Sequence, residues 1–210
     1  MSSKFESMTG EVDYLFDEYD SPPTNPIKLA QKWFEEAINC NVREPHAMVL
    51  TTISSSNIIS SRVMVALEFA NTGIIFNTHN CSQKIRDINE NPIACGHFYW
   101  RELTRQLSIS GKIKPLSRDR AIKEWNKRPT QLHSMSTASY QSQPLKSYKQ
   151  LLSKAKILEN RESLPCPEKY SVYILIPYVV EFWSASANRL HKRIRYEYTR
   201  NKWKQIKLQP

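Results

Sequence analysis

Residues 47–114 carry five short runs rich in β-branched and aromatic side chains: AMVLTTI (47–53), IISSRVMVALEF (58–69), GIIFNTH (73–79), IACGHFYW (93–100) and QLSISGKIK (106–114). The last alternates apolar and polar residues, the period of a strand with one buried face. Five such runs in close succession predict an antiparallel sheet or barrel. Between the third and fourth, Ser82–Asn91 (SQKIRDINEN) reads as a short helix, with Ile85 and Ile88 on one face and Pro92 stopping it. Further on, YSVYILIPY (170–178), VVEFWSA (179–185), IRYEY (194–198) and KWKQIKL (202–208) return to β and are expected to complete the barrel. Upstream, Asn25-Pro26 has the form of an N-cap followed by an N1 proline, and Leu29, Trp33, Phe34, Ala37 and Ile38 follow at helical spacing. Two more helices are expected, over Ser117–Lys127 with a break at Pro129, and over Leu145–Leu158. The fold class is therefore mainly β with peripheral helices (α+β), in one domain over residues 25–210. Residues 1–24, with Glu6, Glu11, Asp13, Asp17, Glu18 and Asp20, read as a flexible acidic arm.

At 210 residues, 40% of them apolar, the chain is long enough to bury a real core. No run approaches the roughly 18 apolar residues of a membrane span, and the acidic start does not resemble a secretory signal. Cys40, Cys81, Cys95 and Cys166 are widely spaced and form no C-x-x-C pair, so neither a disulfide framework nor a zinc site is suggested, and a reducing cytoplasm fits. His46, His79, His97 and His133 show no metal-ligand spacing and read as structural or surface groups; no metal is expected.

The formal charge is +10 and unevenly placed. Residues 101–128 hold nine Lys/Arg against three acids, and residues 189–207 hold eight against Glu197 alone. No helix-turn-helix, zinc-finger or RNP-like motif accompanies these charges, so a site for a small anion is preferred to nucleic acid as the partner. The four glycines, Gly10, Gly73, Gly96 and Gly111, form neither a dinucleotide-binding fingerprint nor a P-loop. Any phosphate must then be held by side chains. Arg62, Thr78, Ser82 and Lys84 stand at strand ends and at the start of a helix, whose N-terminus itself favours an anion. A second cluster closes the chain: Trp183, Arg189, His191 and Arg193 lie within eleven residues, an aromatic plane beside polar cations that suits a flat, anionic ligand.

From about Asn25 to Pro210 the sequence resembles the FMN-dependent pyridoxamine 5'-phosphate oxidase family. The resemblance rests on EPHAMVLTT, SRVMVALEF, FNTHNCSQK, YWRELTRQ, RPTQLH, SYQS, EFW, NRLHKRIRY and the final LQP, in that order. It implies an FMN-binding split β-barrel acting as a homodimer, with the cofactor at the subunit interface. It implies further that Arg62, Val63, Asn77, Thr78, Ser82, Gln83 and Lys84 hold FMN, the cations on its phosphate. Gln106, Gln141, Ser142, Trp183 and Arg193 would complete the flavin site, some from the partner subunit. Arg189 and His191 would face the substrate over the flavin ring and serve as the catalytic pair, His191 accepting or relaying a proton or orienting Arg189.

The departures from the family pattern bear on the substrate. Where vitamin B6 oxidases carry a lysine for the substrate phosphate this chain has Leu67, and their tyrosine and serine fall on Glu124 and Leu132, while the arginine survives as Arg128. A dianionic phosphate would be undersatisfied there. THNCSQK with its Gln83, RPTQLHSMSTASYQS and LQP look instead like the FMN-dependent oxidases of phenazine biosynthesis. That branch implies oxidation of a reduced phenazine carboxylate with molecular oxygen as acceptor, Leu67 and Leu132 against the tricycle and Arg128, Arg189 or His191 toward a carboxylate. Glu124 reads as a gating acid or as an exposed helix carboxylate. Pyridoxamine or pyridoxine 5'-phosphate oxidation is the alternative; a flavin- or haem-binding barrel without turnover and a nucleic-acid module are readings of other classes.

Overall fold

The structure, a computed structural model, describes residues 15–161 and 163–210. Eight antiparallel strands are joined in the order β3-β2-β1-β4-β5-β6-β7-β8, where β1 is Ala47–Ile53, β2 Ile59–Ala70, β3 Gly73–His79, β4 Ile93–Trp100, β5 Arg105–Pro115, β6 Tyr170–Ser184, β7 Lys192–Thr199 and β8 Lys202–Leu208. A further β3–β6 pairing closes the first six into a barrel and leaves β7 and β8 as a ribbon beyond it. Closure is possible because β6 is long: its first half pairs with β3 while its second half pairs with β7. The sequence reading divides this strand after Tyr178; the structure does not. Gly111 faces Pro177 and Ser110 faces Val179, so Tyr178 is the extra residue of a bulge, a place where a residue without an N–H is tolerated. Gly111 allows the approach, since a Cβ there would lie 2.2 Å from the Ile176 carbonyl oxygen.

Met48, Leu50, Phe76, Phe98, Leu107, Leu175, Val180 and Phe182 fill the barrel. The helix α1 (Pro26–Asn39) caps it with Leu29, Trp33, Phe34 and Ala37. Its start follows the sequence: the Asn25 side chain accepts from the Ile27 N–H at 2.9 Å. Ile38, grouped with the apolar stripe by spacing, faces solvent instead. The helix α2 (Gln83–Glu90) connects β3 to β4, and α3 (Arg118–Lys127) packs Ala121 and Trp125 on the outer side of β3 and β6. A short helix α4 (His133–Ala138), unmarked by any periodic pattern, precedes α5 (Tyr148–Glu159), which starts later than the sequence suggests because Ser147 caps it.

Most of the expected acidic arm, residues 1–14, lies outside the described residues. The remainder departs from the expectation of a free arm: Phe16 is buried edge-on against Trp33, Arg105 donates to the Leu15 carbonyl at 2.8 Å, and Lys32 pairs with Glu18. An aromatic side chain that fills the end of a barrel outweighs the acids flanking it.

Candidate anion cradle and substrate pocket

At the junction of β2, β3 and α2, two cations are drawn out of water together. Strand alternation turns Arg62 inward, where its guanidinium donates to the Leu50 carbonyl at 3.1 Å, Thr52 at 2.8 Å and Ser60 at 2.8 Å. Asp87, on the first turns of α2, lies 4.0 Å away and accepts from Thr52, Ser60 and Gln83. Burial pushes the Asp87 carboxyl up, yet these hydrogen bonds and the Arg62 charge together hold it below the ordinary carboxylate range. Lys84 is 4% exposed and has only neutral partners, Thr78 Oγ1 and Gln141 Oε1, each at 3.1 Å. Among the described residues no carboxylate is within ion-pair distance of it. Burial, then the Arg62 charge, lowers its pKa to about 8. Ser82, wholly buried at the N-cap of α2, makes no capping hydrogen bond and leaves its hydroxyl 3.5 Å from Thr78. Two cations, two hydroxyls and a helix N-terminus around a single carboxylate form a place where one more anion is favourable.

Thr78 and Gln141 carry the cradle to a cleft of about 460 Å³ that is also lined by Val63, Val65, Asn77, His79 and Arg128. Val63 is on the outward face of β2, opposite to Arg62, and so meets the cleft rather than the cations. Gln83 has both ends of its amide occupied, by Asp87 and Arg86. Ser142, next in the chain after Gln141, is exposed and in a left-handed conformation (φ 67°).

A second pocket of about 290 Å³ shares Val65, Asn77 and Arg128 with the first and brings in Leu67, Glu124 and Leu132. The three positions that depart from the family pattern, Leu67, Glu124 and Leu132, thus share one wall with the retained Arg128. Glu124 is nearly buried at 9% exposure, which corrects the reading of an exposed helix carboxylate; Arg120 at 2.9 Å and Lys127 at 3.2 Å hold one of its oxygens. Arg128 lies 5.9 Å over the Tyr170 ring.

The C-terminal cluster is elsewhere. Gln106, Trp183 and Arg193 face one another across β5, β6 and β7 in a single cross-strand row. The His191 ring is 4.8 Å from Trp183, and its Nδ1 accepts from the Ser186 N–H at 3.2 Å. Arg189 is exposed at a left-handed turn (φ 63°). Arg193, unlike Lys84, already has its anion: Glu181 accepts two hydrogen bonds from it, at 3.0 and 2.6 Å. The distance between the two groups is set by one strand. Thr78 pairs with Ser171 and Gln106 with Trp183, twelve residues further along β6, which at ordinary strand rise is up to about 40 Å. Neither pocket described above is lined by a member of the C-terminal group. The row of Gln106, Trp183 and Arg193 lies on the outer sheet face, where Val49, Val63, Val65 and Tyr99 are also exposed, an apolar surface of the kind that marks a protein contact.

Sequence reasoning missed Asp87, Thr52 and Ser60, the groups that position Arg62, and set His79 aside although it lines the cleft. The spacing of Gln83 and Asp87, one helical turn apart, was the available signal for Asp87. Among the described residues no helix is long and apolar enough to cross a membrane, and no group of three or more His, Cys, Asp or Glu side chains is placed to hold a metal.

Comparison with known proteins adds independent findings. Residues 34–159 match the family model described as pyridoxamine 5'-phosphate oxidase, and residues 170–210 match the pyridoxine 5'-phosphate oxidase C-terminal dimerisation region. A dihydrophenazinedicarboxylate synthase of Burkholderia lata is 44% identical over 210 residues, covering 100% of this chain and 99% of the relative. Its namesake in Pseudomonas chlororaphis is 40% identical over 206 residues, covering 98% of this chain and 93% of the relative. The crystal structure of PhzG from Burkholderia lata in complex with tetrahydrophenazine-1-carboxylic acid superposes with a TM-score of 0.93 at 43% identity, covering 96% of this chain and 100% of that one.

Proposed function

The chain belongs to the pyridoxamine 5'-phosphate oxidase family, and from that premise we propose that it is an FMN-dependent oxidase of phenazine biosynthesis, removing hydride from a reduced phenazine carboxylate and passing the electrons to molecular oxygen. The observation that carries the substrate assignment is the wall of the smaller pocket. Leu67, Leu132 and the ion-paired Glu124 face it, and Arg128 is the family's one phosphate-binding group retained there. A phosphate ester would lose donors worth about 1.5–3 kcal/mol each and meet a carboxylate. A tricyclic ring would bury against the leucines, and one guanidinium suffices for a carboxylate. The names of the two relatives and the ligand of the superposed structure point the same way.

The cradle fits FMN on chemical grounds: its cations outnumber their carboxylate partners, and the Ser82 hydroxyl makes no capping hydrogen bond and has only a long contact with Thr78, so it can turn to donate to an anion. Arg62, Ser82 and Lys84 would hold the phosphate, Thr78 and Gln141 would close over it, and Val63 and Asn77 would line the ring's side of the cleft. The two-electron chemistry, hydride acceptance and reoxidation by molecular oxygen, is what FMN supplies when bound. Because aromatisation drives the reaction, the protein's work is orientation. Arg128 and Arg189 would fix the substrate carboxylate; the His191 ring, its Nδ1 held by the Ser186 N–H and its face by Trp183, carries its proton on Nε2 and would donate from there to the carboxylate, while the ring-nitrogen proton leaves to solvent. Gln106, Trp183, Arg189, His191 and Arg193 would reach the cofactor and substrate from a second copy, since β6 separates them from the cradle in their own chain, while Ser142, next to Gln141, would reach the flavin from the cradle's own chain. The exposed outer face and the dimerisation-region match support a homodimer. The four free cysteines support a cytoplasmic setting.

Oxygen uptake by the FMN-loaded protein tests the reading, with chemically reduced phenazine-1-carboxylate in one cell, pyridoxamine 5'-phosphate in another and free FMN as the control. Uptake above the control with the phenazine alone is expected. Turnover of the phosphate ester instead would favour the vitamin B6 reading, with Arg128 as the phosphate anchor.

A further inference from the structure

Gln141 lies outside any helix or strand, on the exposed stretch that follows α4, yet its amide oxygen closes the cradle, accepting from Thr78 at 2.8 Å and from Lys84 at 3.1 Å. Something must hold its backbone there. Two side chains do so, and both come from the pair of strand ends that close the barrel.

The first is His79, the last residue of β3. Its Nδ1 accepts the Gln141 N–H at 3.3 Å, which requires a ring without a proton on that nitrogen. The surroundings favour that state: burial, and then the charges of Lys169, Lys84 and Arg128, lower the His79 pKa to about 4. The second is Lys169, directly before β6. Its ammonium donates to the Thr137 and Ser139 carbonyls at 2.7 and 2.5 Å, meeting the unsatisfied C-terminal end of α4, and lies 3.7 Å from the centre of the Tyr140 ring. His79 pairs with Tyr170, and the Asn80 N–H donates to the Lys169 carbonyl at 2.8 Å, so the two anchors are fixed to each other. Between them they grip residues 137, 139, 140 and 141.

We infer that His79 and Lys169 are positioning residues for the cofactor: by clamping the stretch from Thr137 to Gln141 onto the β3–β6 closure, they place the Gln141 amide against Lys84 and Thr78, where the FMN phosphate is held. This rests on the FMN reading above and adds to it two residues that need not touch the ligand. A helix-capping role alone for Lys169, and a space-filling role alone for His79, would stabilise the fold without bearing on Gln141.

The test is a set of FMN dissociation constants, measured by quenching of flavin fluorescence with apoprotein, alongside the thermal melting of each apoprotein. The variants are His79→Leu, Lys169→Met, Gln141→Ala and each of the first two combined with Gln141→Ala. His79→Leu and Lys169→Met are each expected to weaken FMN about tenfold, the loss of roughly one well-placed hydrogen bond. In the Gln141→Ala background the same changes should shift the constant by less than about twofold, because the group they position is gone. His79→Asn keeps an acceptor and Lys169→Arg keeps donors, and both should recover most of the affinity. They also serve if a harsher variant fails to fold, for then Asn and Arg proteins that bind FMN as weakly as Gln141→Ala overturn the inference. Unchanged affinity in both single variants, or an undiminished effect in the Gln141→Ala background, overturns it too. Failure of the unaltered protein to bind FMN tells instead against the cofactor reading itself.

Discussion

The two basic regions of this protein differ in what their cations already have. Arg193, on the outer face of the sheet, is half-exposed and doubly bonded to Glu181, and its charge is satisfied before any ligand arrives. Lys84, in the cradle, is buried, holds only neutral oxygens and sits close enough to Arg62 to have its pKa lowered. A paired surface cation contributes direction and shape to a site. An unpaired buried one stores a penalty that an incoming anion relieves, so the cradle is the region where ligand affinity should reside.

Substitutions can break this contrast in order of expected size. Arg62→Met should have the greatest effect, because it removes the cation from the buried Asp87 and leaves the Thr52 and Ser60 hydroxyls without their donor. FMN binding should be lost, and urea unfolding of the apoprotein should show a loss of about 3 kcal/mol. Lys84→Met should weaken FMN by about 100-fold, near the upper range for a charged hydrogen bond, while the apoprotein melts no lower than the parent. A lower melting temperature would mean that Lys84 is already paired.

The same residue gives the cradle a pH signature. With the Lys84 pKa near 8 in the free protein, the site holds an ammonium below that pH and an amine above it. A bound phosphate raises the pKa, so binding above pH 8 takes up a proton. The FMN dissociation constant should be flat from pH 7 to about 8 and then rise by up to about tenfold per pH unit. Lys84→Arg should remove the rising limb, and its persistence in that variant would assign the titration elsewhere. Smallest of all, Arg193→Met should cost the apoprotein no more than about 1 kcal/mol, since a half-exposed ion pair is worth little; a loss of several kcal/mol in urea unfolding would contradict the contrast.

These regions were legible in the sequence to different degrees. Strand runs, α1 and the cations at Arg62 and Lys84 follow from local pattern, because a strand's alternation and a helix's cap are written within a few residues. The wall of Leu67, Glu124, Arg128 and Leu132 was legible only against a family pattern, as three departures beside one retained arginine; its convergence depends on α3 packing against β3 and β6. Asp87 had a local signal only in its spacing from Gln83; its contacts with Thr52, Ser60 and Arg62, the burial of Glu124 and the clamp by His79 and Lys169 were not legible, since each depends on residues far apart in the chain. Phe16 shows the opposite error, in which the acids around it obscured one buried ring. The separation of Trp183 from Thr78 is likewise a property of register, because only the pairing of β6 with both β3 and β5 fixes how far apart they lie.

That separation makes the central claim testable: each site is assembled from two chains. Lys84→Met and Trp183→Ala variants, each with little oxidase activity alone, can be unfolded together, refolded and assayed by oxygen uptake with reduced phenazine-1-carboxylate. If the cradle of one protomer meets the Trp183 row of its partner, half the dimers are mixed and each holds one intact site, so activity should recover to about one quarter of the unaltered protein. Mixed dimers, confirmed by two distinguishable tags, that show no more activity than either variant alone would mean that a single chain supplies both regions, and would contradict the account.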